Sequence, residues 1–288
     1  MKRTLPPPSG AEKERIGSMK KTAMEEGCFL KVKGDRPYGV AFDSKGTLYM
    51  VTAPNSGNGT LWKVTPDGKA TEFAKLEGTF SGSADLDKSF ISSGMDIDEK
   101  GNIYITLGDK LLKILPDGKV TTLAEGFKRC FDVKADRQGN LFVADDKAGA
   151  IYKFIPSMEK SLFYQGSNPG PFVLTSLVFD KEYKNLYARE GTKILKFNAA
   201  SGKTSEKPEV VVDNLRAFDI CMDDIGNIYA STAGGTVKKI NTHGRVTDLG
   251  APGLIKTSIG LNIGKGDFGT KWLYVADTGG IVRIPLEK

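Results

Sequence analysis

Apolar residues along this chain come in short runs separated by turn formers, and nowhere do they sustain the three-and-four spacing of an amphipathic helix. The runs are rich in Val, Ile, Leu, Tyr and Phe and are bounded by Gly, Asp, Asn and Pro, which predicts strands joined by tight turns. One phrase returns six times: Gly46-Thr47-Leu48-Tyr49, Gly101-Asn102-Ile103-Tyr104, Gly139-Asn140-Leu141-Phe142, Lys184-Asn185-Leu186-Tyr187, Gly226-Asn227-Ile228-Tyr229 and Lys271-Trp272-Leu273-Tyr274. Its third residue recurs after 55, 38, 45, 42 and 45 positions. A second phrase follows each instance, as in Leu61-Trp62-Lys63-Val64, Ile151-Tyr152-Lys153-Phe154 and Ile281-Val282-Arg283-Ile284. A further run then follows, as in Ala70–Ala74, Val120–Ala124 and Val246–Gly250. Each unit therefore holds four short strands, and four-stranded units of about 40–45 residues are the period of a β-propeller. The expected fold class is all-β, a six-bladed β-propeller over residues 27–288.

The last unit supplies only three strands before Lys288. An unpaired strand edge is sticky, so the missing outer strand has to come from elsewhere. Cys28-Phe29-Leu30-Lys31-Val32 lies just ahead of the first unit and has strand character. It is predicted to complete the sixth blade and lock the ring. Residues 1–26 are polar, carry Pro6–Pro8 and no apolar signal-peptide core, and are expected to be a disordered tail.

Composition narrows the partners. Hydrophobic residues make up 39% of the 288, enough for a real core, and 34 glycines suit a fold made of turns. The formal net charge of +6 comes from Lys and Arg scattered at strand ends, with a dense basic block only in the first 21 residues. Nucleic-acid binding needs a clustered basic face, so no nucleic-acid partner is expected. No apolar run is long enough to span a bilayer, so no membrane partner is expected either. Cys28, Cys130 and Cys221 are odd in number and lack metal-type spacing, which argues against a disulfide framework. With no visible leader, a cytoplasmic location is the default, and the propeller is expected to act as a monomer.

Propeller topology sorts the connections into two ends. The tight turns Asp43–Gly46 and Thr65–Gly68, with their equivalents, share one end, and the long excursions 78–92, 166–174 and 250–257 share the other. Long loops on a rigid scaffold are where function concentrates, so the loop end is the expected functional end. Phe80, Phe90, Phe172 and Leu254 within those loops either pack locally or form a greasy rim over a pocket. The one histidine, His243, falls in a tight turn at the opposite end, which rules out a Ser-His or Cys-His arrangement at the functional end. The recurring turn carboxylates Asp43, Asp98, Asp136, Asp180 and Asp223 read as turn formers rather than ligands.

Arg129-Cys130-Phe131-Asp132-Val133-Lys134-Ala135-Asp136 resembles the third-blade segment of the regucalcin/gluconolactonase family, whose pattern runs Arg-x-Asn-Asp-Gly-Lys-x-Asp. Ile220-Cys221-Met222-Asp223 resembles the fifth blade of that family, and Trp272–Asp277 with Ile281–Pro285 its last. The remaining likeness, across 27–288, is repeat grammar shared with NHL-type and strictosidine-synthase-like propellers. The resemblance implies a divalent cation, usually calcium, held at the channel's centre by a Glu, an Asn and an Asp, with a further Asn placing the substrate. Those positions fall here on Tyr38, Thr175, Phe218 and Phe131. A hard cation needs oxygen ligands, which Phe lacks and which Tyr and Thr supply only as neutral hydroxyls. The family's metal site is therefore expected to be dismantled, with no metal and no cofactor. Calcium stays open as the alternative if the register slips by one residue, which would bring Asp219 and Asp132 to the places of Phe218 and Phe131.

Tyr38, Phe131 and Phe218 alternate around the ring with Ser93, Thr175 and Thr257, which predicts a channel mouth lined by aromatic rings and hydroxyls. Such a mouth suits a small apolar or aromatic molecule, each good ring pair adding about 0.5–1.5 kcal/mol. Aromatics that simply plug the channel are the other outcome. Around it stand Arg129, Asp96, Asp132, Asp219 and Glu190 as candidate acid/base residues, since a carboxylate crowded by aromatics has a raised pKa. Each Asp can equally serve as an acceptor for backbone amides between blades. The function expected is a metal-independent enzyme acting on an apolar or aromatic small molecule, with ester or lactone hydrolysis as the family's analogue. A non-catalytic ligand- or protein-binding propeller and a calcium-dependent lactonase are the alternatives.

Overall fold

The six sequence units become six four-stranded antiparallel sheets. The computed structural model describes residues 27–286 apart from 55, 82–93, 167–172, 201–206, 233, 252 and 257–259, with the backbone alone at 56–57 and 78–81. The chain opens with β1 (Cys28–Lys31). Blade one is β2 (Arg36–Phe42), β3 (Leu48–Ala53), β4 (Ser56–Val64) and β5 (Ala70–Ser81). Blade two is β6 (Met95–Ile97), β7 (Ile103–Leu107), β8 (Lys110–Ile114) and β9 (Val120–Ala124). Blade three is β10 (Cys130–Ala135), β11 (Leu141–Asp145), β12 (Ala150–Phe154) and β13 (Lys160–Gln165). Blade four is β14 (Leu174–Phe179), β15 (Asn185–Glu190), β16 (Lys193–Asn198) and β17 (Glu209–Val212). Blade five is β18 (Ala217–Met222), β19 (Ile228–Thr232), β20 (Val237–Ile240) and β21 (Val246–Leu249). Blade six supplies β22 (Gly260–Ile263), β23 (Trp272–Asp277) and β24 (Gly280–Pro285). The innermost strands β2, β6, β10, β14, β18 and β22 each neighbour the next, and β22 returns to β2, which closes the ring.

The clasp forms as the strand edge required. β1 pairs antiparallel with β24, and the Val32 amide donates to Gly279 O at 3.0 Å. Phe29 makes edge contacts with Phe268 and Tyr274, at ring separations of 5.7 and 5.2 Å, while Phe42 from blade one meets the same two rings at 5.1 and 5.4 Å. First and last blades are thus joined by one aromatic cluster as well as by a ladder. Edge-to-face rings add to burial, because a positive rim meets a negative face.

Elsewhere the core lies between blades. Leu61 and Leu76 of blade one pack with Ile103 and Leu112 of blade two, and Phe142 and Phe163 of blade three with Leu177 and Leu195 of blade four. A twisted sheet buries both faces only if each blade lends one face to either neighbour, which is why β3, β7 and β11 are buried along their whole length. The tight turns repeat one device. Asp43 Oδ1 accepts from the amides of Lys45 and Thr47 at 3.0 and 2.7 Å, and Asp98, Asp136, Asp180 and Asp223 do the same in their blades. His243 is exposed in the equivalent outer turn of blade five, its amide donating to Asn241 Oδ1 at 3.0 Å. Cys28, Cys130 and Cys221 are free thiols.

Candidate functional site

Four innermost strands carry a β-bulge near the loop end: between Pro37 and Gly39, Cys130 and Asp132, Leu174 and Ser176, and Ala217 and Ile220. A bulge sets two residues of one strand against one of its partner and re-aims side chains. Its effect here is to bring both members of each contested pair, Phe131 with Asp132 and Phe218 with Asp219, to the wall of one central cavity of about 700 Å³. Tyr38 and Thr175 line the same cavity. The register question raised by the sequence therefore has a structural answer, since ring and carboxylate share the lumen.

The carboxylates tie blade to blade. Asp96 Oδ2 accepts from the Ala135 amide of blade three at 2.7 Å, and Asp132 Oδ2 accepts from the Leu177 amide of blade four at 2.7 Å. In blade four a hydroxyl does this work, Ser176 Oγ accepting from the Ile220 amide at 3.1 Å. Asp219 continues the ring, its Oδ2 accepting from the Leu261 amide at 2.8 Å and its Oδ1 from Ser176 Oγ at 2.6 Å. In blade two the place of Asp132 is taken by Gly94, where a Cβ would run into the Asp132 backbone. Neighbouring innermost strands approach so closely that only a short acceptor or no side chain fits between them.

One cation stands among these acids. Lys134 Nζ donates to Asp132 Oδ1 at 2.8 Å and Oδ2 at 3.1 Å, and to Val133 O at 3.1 Å. Burial alone would lower its pKa, but Asp132, Asp96 and Asp219 together outweigh burial and hold it above its ordinary 10.5. Burial pushes Asp96 above the usual carboxylate range, opposed by Lys134 and the Ala135 amide. Burial, and then the Asp132 charge, push Asp219 from an ordinary 3.8 to about 6, against the pull of Lys134 and Ser176. Asp219 is partly open to the cavity.

The other expected residues lie apart from this group. Arg129 is buried behind the wall, donating from Nε to Asp146 Oδ1 at 2.8 Å and from Nη2 to Oδ2, with its guanidinium 5.9 Å from the Phe131 ring. Glu190 sits between blades three and four, accepting from the Tyr164 hydroxyl at 3.1 Å; burial raises its pKa and that hydrogen bond opposes the rise. Ser93, Phe90, Phe172 and Thr257 lie outside the described residues, as does the side chain of Phe80 on β5.

The divalent cation implied by the resemblance does not fit these residues. Phe131 and Phe218 offer no donor atom. The Thr175 hydroxyl is committed, donating to Phe218 O at 2.9 Å and accepting from Arg189 Nη1 at 3.2 Å. Asp132 is taken up by Lys134 and two amides, and Asp219 by Ser176 and two more. Among the described residues no group of three or more His, Cys, Asp or Glu side chains is placed to hold a metal ion.

Sequence reasoning missed Lys134 as a site residue, together with Ser176, Asp146 and Arg189. For Lys134 the signal was present: Asp132 and Lys134 are two apart on a strand and so face the same way. The cavity also reaches further than expected. Its described wall runs from Tyr38 and Phe218 to exposed residues of the tight-turn end, including Lys181, Ile225 and Lys271.

No protein-family model matches this chain, and no curated protein matches it in sequence. Solved structures do resemble it in shape. A gluconolactonase from Xanthomonas campestris superposes with a TM-score of 0.69 at 14% identity, over 96% of this chain and 93% of the other. A luciferin-regenerating enzyme gives 0.64 at 16% identity, over 88% and 92%. Virginiamycin B lyase from Staphylococcus aureus gives 0.60 at 15% identity, over 86% and 94%. At such identities the likeness speaks for architecture alone, and this chain is a six-bladed β-propeller whose overall shape resembles that of the three enzymes.

Proposed function

We propose that this propeller binds a small, largely apolar or aromatic molecule in its central channel and acts on it by acid/base chemistry without a resident metal ion. The observation that carries the reading is Asp219, a carboxylate with a pKa of about 6, open to a cavity of about 700 Å³ walled by Tyr38, Phe131 and Phe218. A cavity of that size suits a small organic ligand, and a group titrating near the working pH is the efficient proton carrier. In hydrolysis of an ester or lactone, ionised Asp219 takes a proton from the attacking water as the water adds to the carbonyl. It returns that proton to the leaving oxygen as the ring or ester opens. Lys134, Asp132 and Asp96 keep the neighbouring strands and charges in place, and Arg129 supports the Phe131 ring from behind.

The test is turnover of a panel of apolar esters and lactones in the presence of a chelator, by wild type and Asp219→Asn. Chelator-resistant turnover that the substitution abolishes supports the reading. Turnover that needs calcium, or that survives the substitution, overturns it. A second reading, a non-catalytic binding propeller, is favoured by one specific observation: Asp96, Asp132 and Asp219 each have an oxygen committed to the next blade's backbone. It predicts a ligand that co-purifies in the channel, visible by native mass spectrometry, with no turnover of any panel member.

A further inference from the structure

In five of the six blades the first tight turn closes with a residue whose amide donates to the turn's Asp carbonyl. In four blades that residue is a glycine at positive φ: Gly46 at 80°, Gly101 at 80°, Gly139 at 82° and Gly226 at 89°. In blade four it is Tyr183, held at φ 58° with its amide 3.0 Å from Asp180 O. A side chain with a Cβ resists the left-handed region, and a tyrosine gains nothing there from the local hydrogen bonds that help Asn or Asp. This departure lies on the wall of the channel cavity, unlike Met158, which holds φ 66° in an outer turn of blade three away from it.

Tyr183 belongs to a rim. The Arg137 guanidinium lies 4.8 Å from its ring centre and donates to Lys181 O at 3.2 Å, and the Phe179 ring centre lies 5.2 Å away. Lys265 and Lys271, both exposed, complete the cationic part of the rim from blade six. Carboxylates share this part of the wall: Asp180 and Asp223 accept from the amides of their own turns and keep their charge, and Asp224 pairs with Lys181 at 3.2 Å. Arg137 also lies 3.8 Å from Glu99. Ile225, 76% exposed, is the most open large apolar residue among those described, and it stands on the same rim. An opening with aromatic, aliphatic and cationic groups together, above a lumen with rings on its wall, has a definite chemical preference.

We propose that the channel admits its ligand through the tight-turn face, and that this ligand is an aromatic or apolar molecule bearing an anionic group, which Lys265, Lys271 and Arg137 receive while Tyr183 stacks on its body. The proposal rests on the channel being the binding site and adds the route and the charge of the ligand. Exposed charges in water attract weakly one by one, but the two exposed lysines Lys265 and Lys271, both on the blade-six part of a concave mouth, together draw an anion to that part of the rim and are screened by salt.

The probes are an anilinonaphthalene sulfonate and uncharged phenylnaphthylamine, whose fluorescence reports entry into an apolar site. With wild type, sulfonate affinity is expected to fall as salt rises while the neutral probe is unaffected. Lys265→Glu combined with Lys271→Glu is expected to weaken the sulfonate tenfold or more and to change the neutral probe less than twofold. Tyr183→Gly restores the residue that the equivalent turns of blades one, two, three and five use; it is expected to melt no lower than wild type and to weaken both probes. Sulfonate binding that ignores salt in wild type overturns the proposal without any variant. Equal sulfonate affinity in the charge-reversed protein, or full binding by Tyr183→Gly, overturns it too. If the neutral probe still binds in those cases, the channel remains a binding site and only the route and charge fall. If neither probe binds wild type, the channel reading itself fails.

Discussion

Asp219 is both a clamp between blades and the proposed proton carrier, and two substitutions separate the roles. As a clamp it accepts from the Leu261 amide at 2.8 Å with one oxygen, and from Ser176 Oγ and the Ile220 amide at 2.6 and 2.9 Å with the other. Asp219→Ala leaves the Leu261 N–H buried without this acceptor, a loss of about 1–3 kcal/mol. Asp219→Asn keeps one acceptor for that amide; its nitrogen can donate to Ser176 Oγ, and the Ile220 amide, which loses the carboxylate oxygen, keeps Ser176 Oγ as its acceptor at 3.1 Å. The substitution also removes a charge that the site resists. A carboxyl whose pKa is about 6 rather than 3.8 is held ionised at pH 7 at a cost of about 3 kcal/mol. Asp219→Asn is therefore expected to match or exceed wild-type stability at pH 7 while Asp219→Ala falls below it. Urea melts of the three proteins at one pH decide the matter. Equal loss in both variants would show that the carboxylate charge itself holds the blades, and would refute the raised pKa and the acid/base role built on it.

The same pKa sets a pH dependence. A raised folded-state pKa adds stability that is full below pH 3.8 and is lost as pH rises through about 6, so the stability of wild type relative to Asp219→Asn should fall from pH 4 to pH 7; a difference that is flat or rises over that range counts against it. Phe29→Ala empties the aromatic cluster that joins first and last blades and should cost about 3–5 kcal/mol, read as a lower urea midpoint and faster proteolysis. Asp146→Ala strips the buried Arg129 of its bidentate partner and should cost about 3–5 kcal/mol, whereas Glu209→Gln, which breaks the exposed pair with Lys196 at 3.3 Å, should cost less than about 1 kcal/mol. Calcium or chelator should leave the thermal midpoint of wild type unchanged, since the donors that could hold a cation are already engaged; a shift with one ion bound per chain would revive the calcium reading.

What the sequence determined is the scaffold. Short β-branched and aromatic runs, one turn device repeated blade after blade and a missing last strand specify six blades and a clasp, because each follows from local rules: strand period, Asx turns and the need to cover an edge. Even the inter-blade use of Asp96, Asp132 and Asp219 could be named as an alternative from residue type and strand position. The site was legible only in part. Which side chains face one lumen depends on bulges at Cys130–Asp132 and Ala217–Ile220, which shift register without leaving a mark in composition. The spacing of Asp132 and Lys134 put one partner of that lysine in the sequence, but Asp96 and Asp219, from two other blades, converge on it only in the closed ring. Tyr183 reads as an ordinary turn residue until the ring sets its turn beside the channel mouth. Charges and rings distant along the chain acquire meaning when closure brings them together, and closure is a property of the whole ring.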